Sequence, residues 1–386
     1  MGAIFENAYL VVSAADCSDS SQPILSTRAD EFRRRKLSYT NTTGREFKLY
    51  VRKYHDHHPD FQENRPPSIT GPLATRGWVQ QEQILATRVL HYTATELVLE
   101  CKSAVFCECR PRAIMRPSNP NLLAHISHPS PPLTAASRRK IYHKWHRLLN
   151  LYSLRSLSYP CDKLPAISGI AEKFKMATAS AYMAGLWIDN LIPDLLWSSM
   201  PYLQDPHEAA RLTEYRAPSW SWASVDTQFQ YEEMSDRGLK SMVQIKSVNC
   251  EPRGLNLLGE VRDGHLVLEG EVAQGTLVAP SARDFYYHLR LCGRTSIKVS
   301  PDSMLREEET GMSMGRTVRR ARGGESYRPF SAPVSCLALM STNDDCVYGL
   351  VLGRSSRVKG ALERVGLFTC GKMAFGKSEK SNVCIV

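Results

Sequence analysis

The chain has 386 residues, 42% hydrophobic and 23% charged, which is enough apolar surface for about two or three compact cores and excludes disorder throughout. Its net charge of +10 allows attraction to nucleic acid or to an acidic membrane surface without specifying either. No run approaches the roughly 18 consecutive apolar residues of a membrane span, and MGAIFENAYLVV lacks a basic stretch ahead of an apolar one, so neither a span nor a secretory signal is expected.

Residues 1–8 read as the last turns of a helix, and Tyr9–Ala15 as a short buried strand. Residues 26–74 read as irregular and polar, with a turn at Asn41-Thr42-Thr43-Gly44 and a strand at Phe47–Val51. Trp78, Gln81, Glu82 and Leu85 recur at helical spacing. Arg88–Tyr92 and Glu96–Cys101 then alternate as the arms of a hairpin. Residues 110–136, rich in Pro, Ser and Asn, read as a linker.

A helical block follows. Ile141, Trp145, Leu148, Leu149 and Tyr152 form one apolar stripe. Asp162 is expected to cap a second helix with Pro165 in its first turn, and Ala181–Trp197 to form a third, broken near Pro193. From Pro218 the pattern turns to β. Trp220–Val225 alternates large and small residues like a half-buried strand. Further strands are expected at Met242–Asn249, Leu266–Val272, Phe285–Leu291, Val334–Met340, Val347–Leu352 and Arg364–Thr369, as an antiparallel sandwich or barrel. The charged, Gly- and Ser-rich residues 301–331 read as a mobile insertion.

The fold class expected is therefore α+β. Residues 1–110 form an α/β segment, 137–200 a helical connector, and 215–372 an antiparallel β-rich domain interrupted at 301–331. The 11 cysteines are odd in number and without framework spacing, as suits reduced thiols in a cytoplasmic protein.

Few residue clusters carry chemistry. His55-Asp56-His57-His58 lies in a polar loop without the ordered elements that a zinc site needs. Cys101, Cys107 and Cys109 lack a second Cys-x-x-Cys knuckle, and the period-two pair fits one buried strand face. Ser221 sits in Trp-Ser-Trp, not in the Gly-x-Ser-x-Gly elbow of a hydrolase. No Walker loop, Gly-x-Gly-x-x-Gly or His-Glu-x-x-His occurs, so no cofactor and no metal are expected. The basic runs Arg33-Arg34-Arg35-Lys36 and Arg138-Arg139-Lys140 lack interleaved aromatics, which places nucleic acid last among partners.

Four ordered blocks carry a resemblance. They are Ile4-Phe5-Glu6-Asn7-Ala8-Tyr9 running into Ser13-Ala14-Ala15; Arg76-Gly77-Trp78-Val79-Gln80-Gln81-Glu82 with Arg88-Val89-Leu90-His91-Tyr92; Tyr152-Ser153 and Arg155, with Asp162–Ala171 and Tyr182–Trp187; and Arg216-Ala217-Pro218-Ser219-Trp220-Ser221-Trp222-Ala223-Ser224, echoed by Tyr348–Leu352 and Glu363–Phe368. In this order they resemble the fungal heterokaryon-incompatibility (HET) family. The resemblance implies a role in non-self recognition and programmed cell death through regulated protein contacts. It also implies a signalling domain comparable, by fold analogy alone, with TIR domains. The family's Ser-Tyr-x-Trp-Gly-like opening and Trp-Ile-Asp strand have no counterpart upstream of Ile4, so the chain is expected to be truncated relative to the family. Arg76, Gly77, Trp78, Gln81 and Glu82 are the foremost site residues, with Asp162, Pro218, Trp220 and Trp222 as further motif positions. Two readings remain open. In one, Gly77 allows close approach and the charges orient Trp78. In the other, Glu82 is the carboxylate of a TIR-like NAD hydrolase, with NAD bound only if the missing strands exist. A non-catalytic interaction scaffold is the third alternative.

Overall fold

The computed structural model describes residues 1–25, 27–53, 71–108, 133–200, 214–231, 238–278, 287–291, 295–303, 331–375 and 377–386. Helices and strands both contribute, and the fold is α+β. Contacts divide the chain into two units, Met1–Pro131 with Arg155–Leu157, and Pro132–Leu154 with Ser158–Val386. The helical stretch and the large sheet thus share one unit. His55–His58, Cys109 and most of the linker at 110–136 lie outside the described residues.

The first unit begins with α1 (Gly2–Asn7) and β1 (Val11–Ser13). A separate hairpin follows, β2 (Arg35–Thr40) against β3 (Glu46–Val51). The turn is the one expected: Asn41 Oδ1 accepts from the Thr43 and Arg45 N–H groups at 3.1 and 2.9 Å, and Gly44 takes φ +77°. Beyond lie α2 (Gly77–Leu85), β4 (Arg88–Tyr92), β5 (Leu97–Cys101) and β6 (Val105–Cys107). They complete a sheet of order β1-β4-β5-β6, with β1 parallel to β4 and the other pairs antiparallel. Thr93 Oγ1 closes the β4–β5 turn, donating to Glu96 O at 2.7 Å and accepting from Glu96 N–H at 3.1 Å.

The second unit opens with α3 (Ala135–Tyr152), capped by Thr134, whose hydroxyl accepts from Ser137 N–H at 3.1 Å. All five stripe residues of this helix are buried. Three expectations fail from here. Asp162 caps no α-helix: Pro160–Lys163 and Pro165–Ile167 wind as two 3-10 turns, and α4 (Ser168–Thr178) starts only afterwards. Two prolines in eight residues remove the N–H groups and set the φ angles that a continuous helix needs. Ala181–Trp197 is not a helix. It holds a hairpin, β7 (Tyr182–Met183) with β8 (Leu186–Trp187), then a short α5 (Leu191–Asp194) and β9 at Trp197. The reversal is made by Ala184 and Gly185 at φ +46° and +101°. Trp220–Val225 is no strand either. Trp222–Ser224 is a 3-10 turn, because Ser221 Oγ accepts from Ala223 N–H at 3.0 Å and Ser224 Oγ donates to Ser221 O at 2.7 Å. β9 (Trp197–Ser199) pairs with β10 (Phe229–Tyr231).

The β-rich part is a closed barrel with flanking strands. Its strands are β11 (Lys240–Ser241), β12 (Val243–Pro252), β13 (Val261–Val278), β14 (Tyr287–Leu291), β15 (Thr295–Pro301), β16 (Ser331–Ser341), β17 (Cys346–Arg354) and β18 (Leu362–Gly371). The short α6 (Lys372–Phe375) and β19 (Glu379–Ile385) follow. The antiparallel path β13-β14-β15-β18-β17-β16 returns to β13, which removes the open edges of that ring. Its interior is apolar, with Leu277, Tyr287, Leu289, Val299, Val351 and Phe368 among the buried contributors. Bulges at Ala338/Met340 and Val351/Leu352 supply the curvature that closure requires. Pro301, expected at the start of the insertion, ends β15, and 304–330 lie outside the described residues.

Candidate functional site

The strongest motif block lies in the first unit. Arg76 has extended backbone and α2 begins at Gly77. Gly77 N–H donates to Ser156 O at 2.7 Å, and Ser156 N–H donates to Thr75 O at 2.7 Å. A Cβ on Gly77 would lie 2.5 Å from Leu157 Cδ2, so only glycine admits this approach. Arg155 reaches the same turn, with contacts of 3.4 Å to Arg76 O and to Gln83 Oε1. Gln81 is buried and Trp78 half-buried on α2. Glu82 is half-buried as well. Burial raises its carboxyl above the ordinary value, against the pull of the Arg76 and Arg155 charges. The result, among the described residues, is a single carboxyl under the influence of two guanidiniums, without the Gly-rich backbone that cradles a nucleotide phosphate.

The third and fourth blocks converge in the second unit. Lys163 ends the first 3-10 turn, and its buried ammonium donates to Val225 O at 2.5 Å and lies 3.5 Å from Asp226 Oδ1. Burial pushes this amine down to about 8, with Arg216 adding to the shift and Asp226 opposing it. Arg216 donates to Ala223 O and Val225 O at 2.6 and 2.9 Å and pairs with Asp226 at 2.7 Å. Asp226 in turn is held below the ordinary carboxylate range by Lys163 and Arg216, which outweigh its burial. Asp162 itself, beside Lys163, is part of the turn that presents the amine.

The tryptophans of the second unit are packing groups, and Trp145, Trp197 and Trp222 hydrogen-bond as well. Trp145, Trp187, Trp197, Trp220 and Trp222 are all fully buried. Trp145 and Trp222 both donate their indole N–H to Gly185 O, at 3.1 and 3.2 Å, and Ser221 Oγ donates to Ala184 O at 2.5 Å. The β7–β8 turn is thereby clamped by residues 37 or more positions away in sequence. Trp220 O accepts from Trp197 Nε1 at 3.1 Å. Pro218 packs on β13, where a Cβ on Gly264 would come 2.7 Å from its ring. Ser221 is thus committed to the clamp, its hydroxyl donating to Ala184 O and accepting from Ala223 N–H.

Further polar groups share this frame, of which Asp194, His146 and Asp302 were not singled out as site residues in the sequence. Asp194 accepts from Trp187 N–H and Asn190 Nδ2 at 2.7 and 2.6 Å and meets His146 Nε2 at 2.6 Å. His146 stacks on Tyr231 with ring centroids 3.9 Å apart. Arg364 and Asp302 form a buried pair at 2.9 and 3.1 Å. Beside Arg216, a cavity of about 250 Å³ opens against Cys161, Glu214, Tyr215 and Arg253. Its walls carry both signs of charge. Among the described residues no three His, Cys, Asp or Glu side chains gather as a metal site would require.

No family model matches the chain, and neither a curated protein nor a solved structure matches it. No helix among the described residues is long and apolar enough to cross a membrane.

Proposed function

We propose that this chain is a member of the fungal heterokaryon-incompatibility family and acts in non-self recognition and programmed cell death through regulated protein contacts. One observation carries the reading. Residues far apart in sequence, Lys163 with Val225 just past the fourth block, and Ser221 and Trp222 with Ala184 and Gly185, meet in one interlocked buried frame. Motif chemistry spent on holding a shape suits a protein that works through its surface. The test is inducible expression in a filamentous fungus, reading colony growth and vital-dye uptake. Growth arrest with dye uptake, retained by Glu82→Gln, supports contact-driven signalling in the cytoplasm. Normal growth despite accumulation of the folded chain overturns it.

A second reading rests on Glu82, a half-buried carboxyl with a raised pKa beside Arg76 and Arg155. In that reading the first unit is TIR-like and cleaves NAD. Nicotinamide release by the purified chain, lost in Glu82→Gln, would establish it; no release would leave the scaffold reading in place.

A further inference from the structure

The β2–β3 hairpin is amphipathic across its two strands. Its register pairs Arg35 with Val51, Leu37 with Leu49 and Tyr39 with Phe47. Because side chains alternate along a strand, these six share one face. The opposite face carries Lys36, Ser38, Thr40, Glu46, Lys48 and Tyr50. Such a face would ordinarily be buried, yet Leu37, Tyr39, Phe47, Leu49 and Val51 are between 39% and 53% exposed. The rings of Tyr39 and Phe47 sit 6.4 Å apart, and the Arg45 guanidinium lies 5.4 Å over the Phe47 ring.

Charge and size together identify the occupant. Residues 35–51 contain four cations, Arg35, Lys36, Arg45 and Lys48, against one carboxylate, Glu46. An anionic surface complements that border. With about 3.4 Å of rise per residue and about 4.8 Å between strands, the apolar face measures roughly 20 by 10 Å. That is a small part of the ~800 Å² per side of a stable protein interface. A small flat apolar patch with Arg35 on its own face, the Arg45 guanidinium over the Phe47 ring and Lys36 and Lys48 on the reverse of the same hairpin is sufficient for lipid, which moulds to it and needs no complementary pocket. Aromatic rings and basic groups at the rim suit the headgroup region. We propose that this hairpin face docks the chain reversibly on an anionic lipid surface. The inference does not depend on the family reading.

The experiment is flotation of the full chain with vesicles of phosphatidylcholine alone and with vesicles containing about one third phosphatidylserine. The expected result is recovery with the anionic vesicles only, lost as salt rises from about 0.1 to about 1 M and the Debye length falls from about 10 to about 3 Å. Arg35→Gln with Arg45→Gln should weaken partitioning by roughly 30-fold, at about fivefold per arginine. Leu37→Ser with Phe47→Ser should weaken it by at least about tenfold. All four side chains are exposed or partly exposed, so the circular dichroism and melting of both variants should match the parent. Lys359→Gln with Lys372→Gln, in the second unit, should partition like the parent. Recovery with neither vesicle overturns the proposal, as does equal partitioning by the hairpin variants. Self-association abolished by Leu37→Ser with Phe47→Ser, or retention on duplex nucleic acid indifferent to that change, each without vesicle binding, also overturns it.

Discussion

Arg364 is the point at which the second unit can be tested most severely. Its side chain is fully buried and lies 3.6 Å over the Trp197 ring. Nε and Nη2 hold Asp302, at 2.9 and 3.1 Å, while Nη1 donates to Leu195 O at 2.6 Å and Nη2 also donates to Trp197 O at 2.5 Å. The barrel strand β18 is thereby tied to the segment that carries α5 and β9. Arg364→Met removes those bonds and takes the guanidinium away from the buried Asp302 carboxylate. Breaking one side of such a pair costs about 3–5 kcal/mol. For a unit of this size, about 4 kcal/mol lowers Tm by roughly 8–16 °C. Arg364→Lys keeps the charge but not the planar fork, and should fall between parent and Arg364→Met. Urea unfolding followed by tryptophan fluorescence measures all of these. The double variant Arg364→Met with Asp302→Ala should cost less than the sum of the singles, since both changes remove the same pair. A cost below about 1 kcal/mol for Arg364→Met, or strict additivity, would refute the pair as a structural tie.

Other perturbations follow from the same unit. Burial pushes the thiols of Cys250 and Cys336 up to about 12 and that of Cys370 up to about 11. Unfolded thiols titrate near 9.0, so these groups favour the folded state fully below that pH and lose the effect as pH rises toward 12. Lys163, at about 8 against 10.5 unfolded, acts in the opposite sense across that interval. Three thiols outweigh one amine, so urea midpoints should fall from about pH 9 upward, and Cys336→Ala should flatten the fall. Gly185→Ala should destabilise by about 3 kcal/mol, because φ is +101° and the new Cβ would lie 2.5 Å from Trp222 Nε1. Ala179, at φ +54° just after α4, strains the helix end, and Ala179→Gly should raise stability by about 0.5–1 kcal/mol in the same assay.

What could be read from the sequence was periodic and local. The stripe of α3, the β4–β5 hairpin and the Asn41 turn each follow from spacing or from one side chain bonding its own neighbourhood. The close approach at Gly77 was legible because a glycine before a tryptophan-bearing helix demands an explanation. What failed was decided by distant partners. Trp220–Val225 alternates like a strand, yet Ser221 and Ser224 bond within the segment, and Trp222 is drawn to a carbonyl 37 residues away. Ala184 and Gly185 look helical in an apolar run until the clamp that holds their carbonyls is known. β19 and β15 mix polar and apolar residues too evenly to stand out, because each leans on neighbours for its register. Asp302 was assigned to an insertion by composition, and only its partner 62 positions on reveals it as core.

These failures bear on function. Of the motif positions, Lys163, Trp222 and Arg364 became intelligible only as contacts across the fold, and each is satisfied there by a carbonyl or a counter-charge, while Trp220 is buried and lends its carbonyl to Trp197. A catalytic group normally retains a direction in which it can meet a substrate. These are enclosed on the sides described. Among the foremost candidates, Glu82 differs: it is half-buried, its carboxyl is raised, and two guanidiniums stand near it. A change at Trp222 or Lys163 should therefore act through stability, whereas Glu82→Gln removes a charge with little loss of packing. An effect of Glu82→Gln on signalling at unchanged stability would place the active surface in the first unit, and its absence would move the search to the faces that the interlocked frame supports.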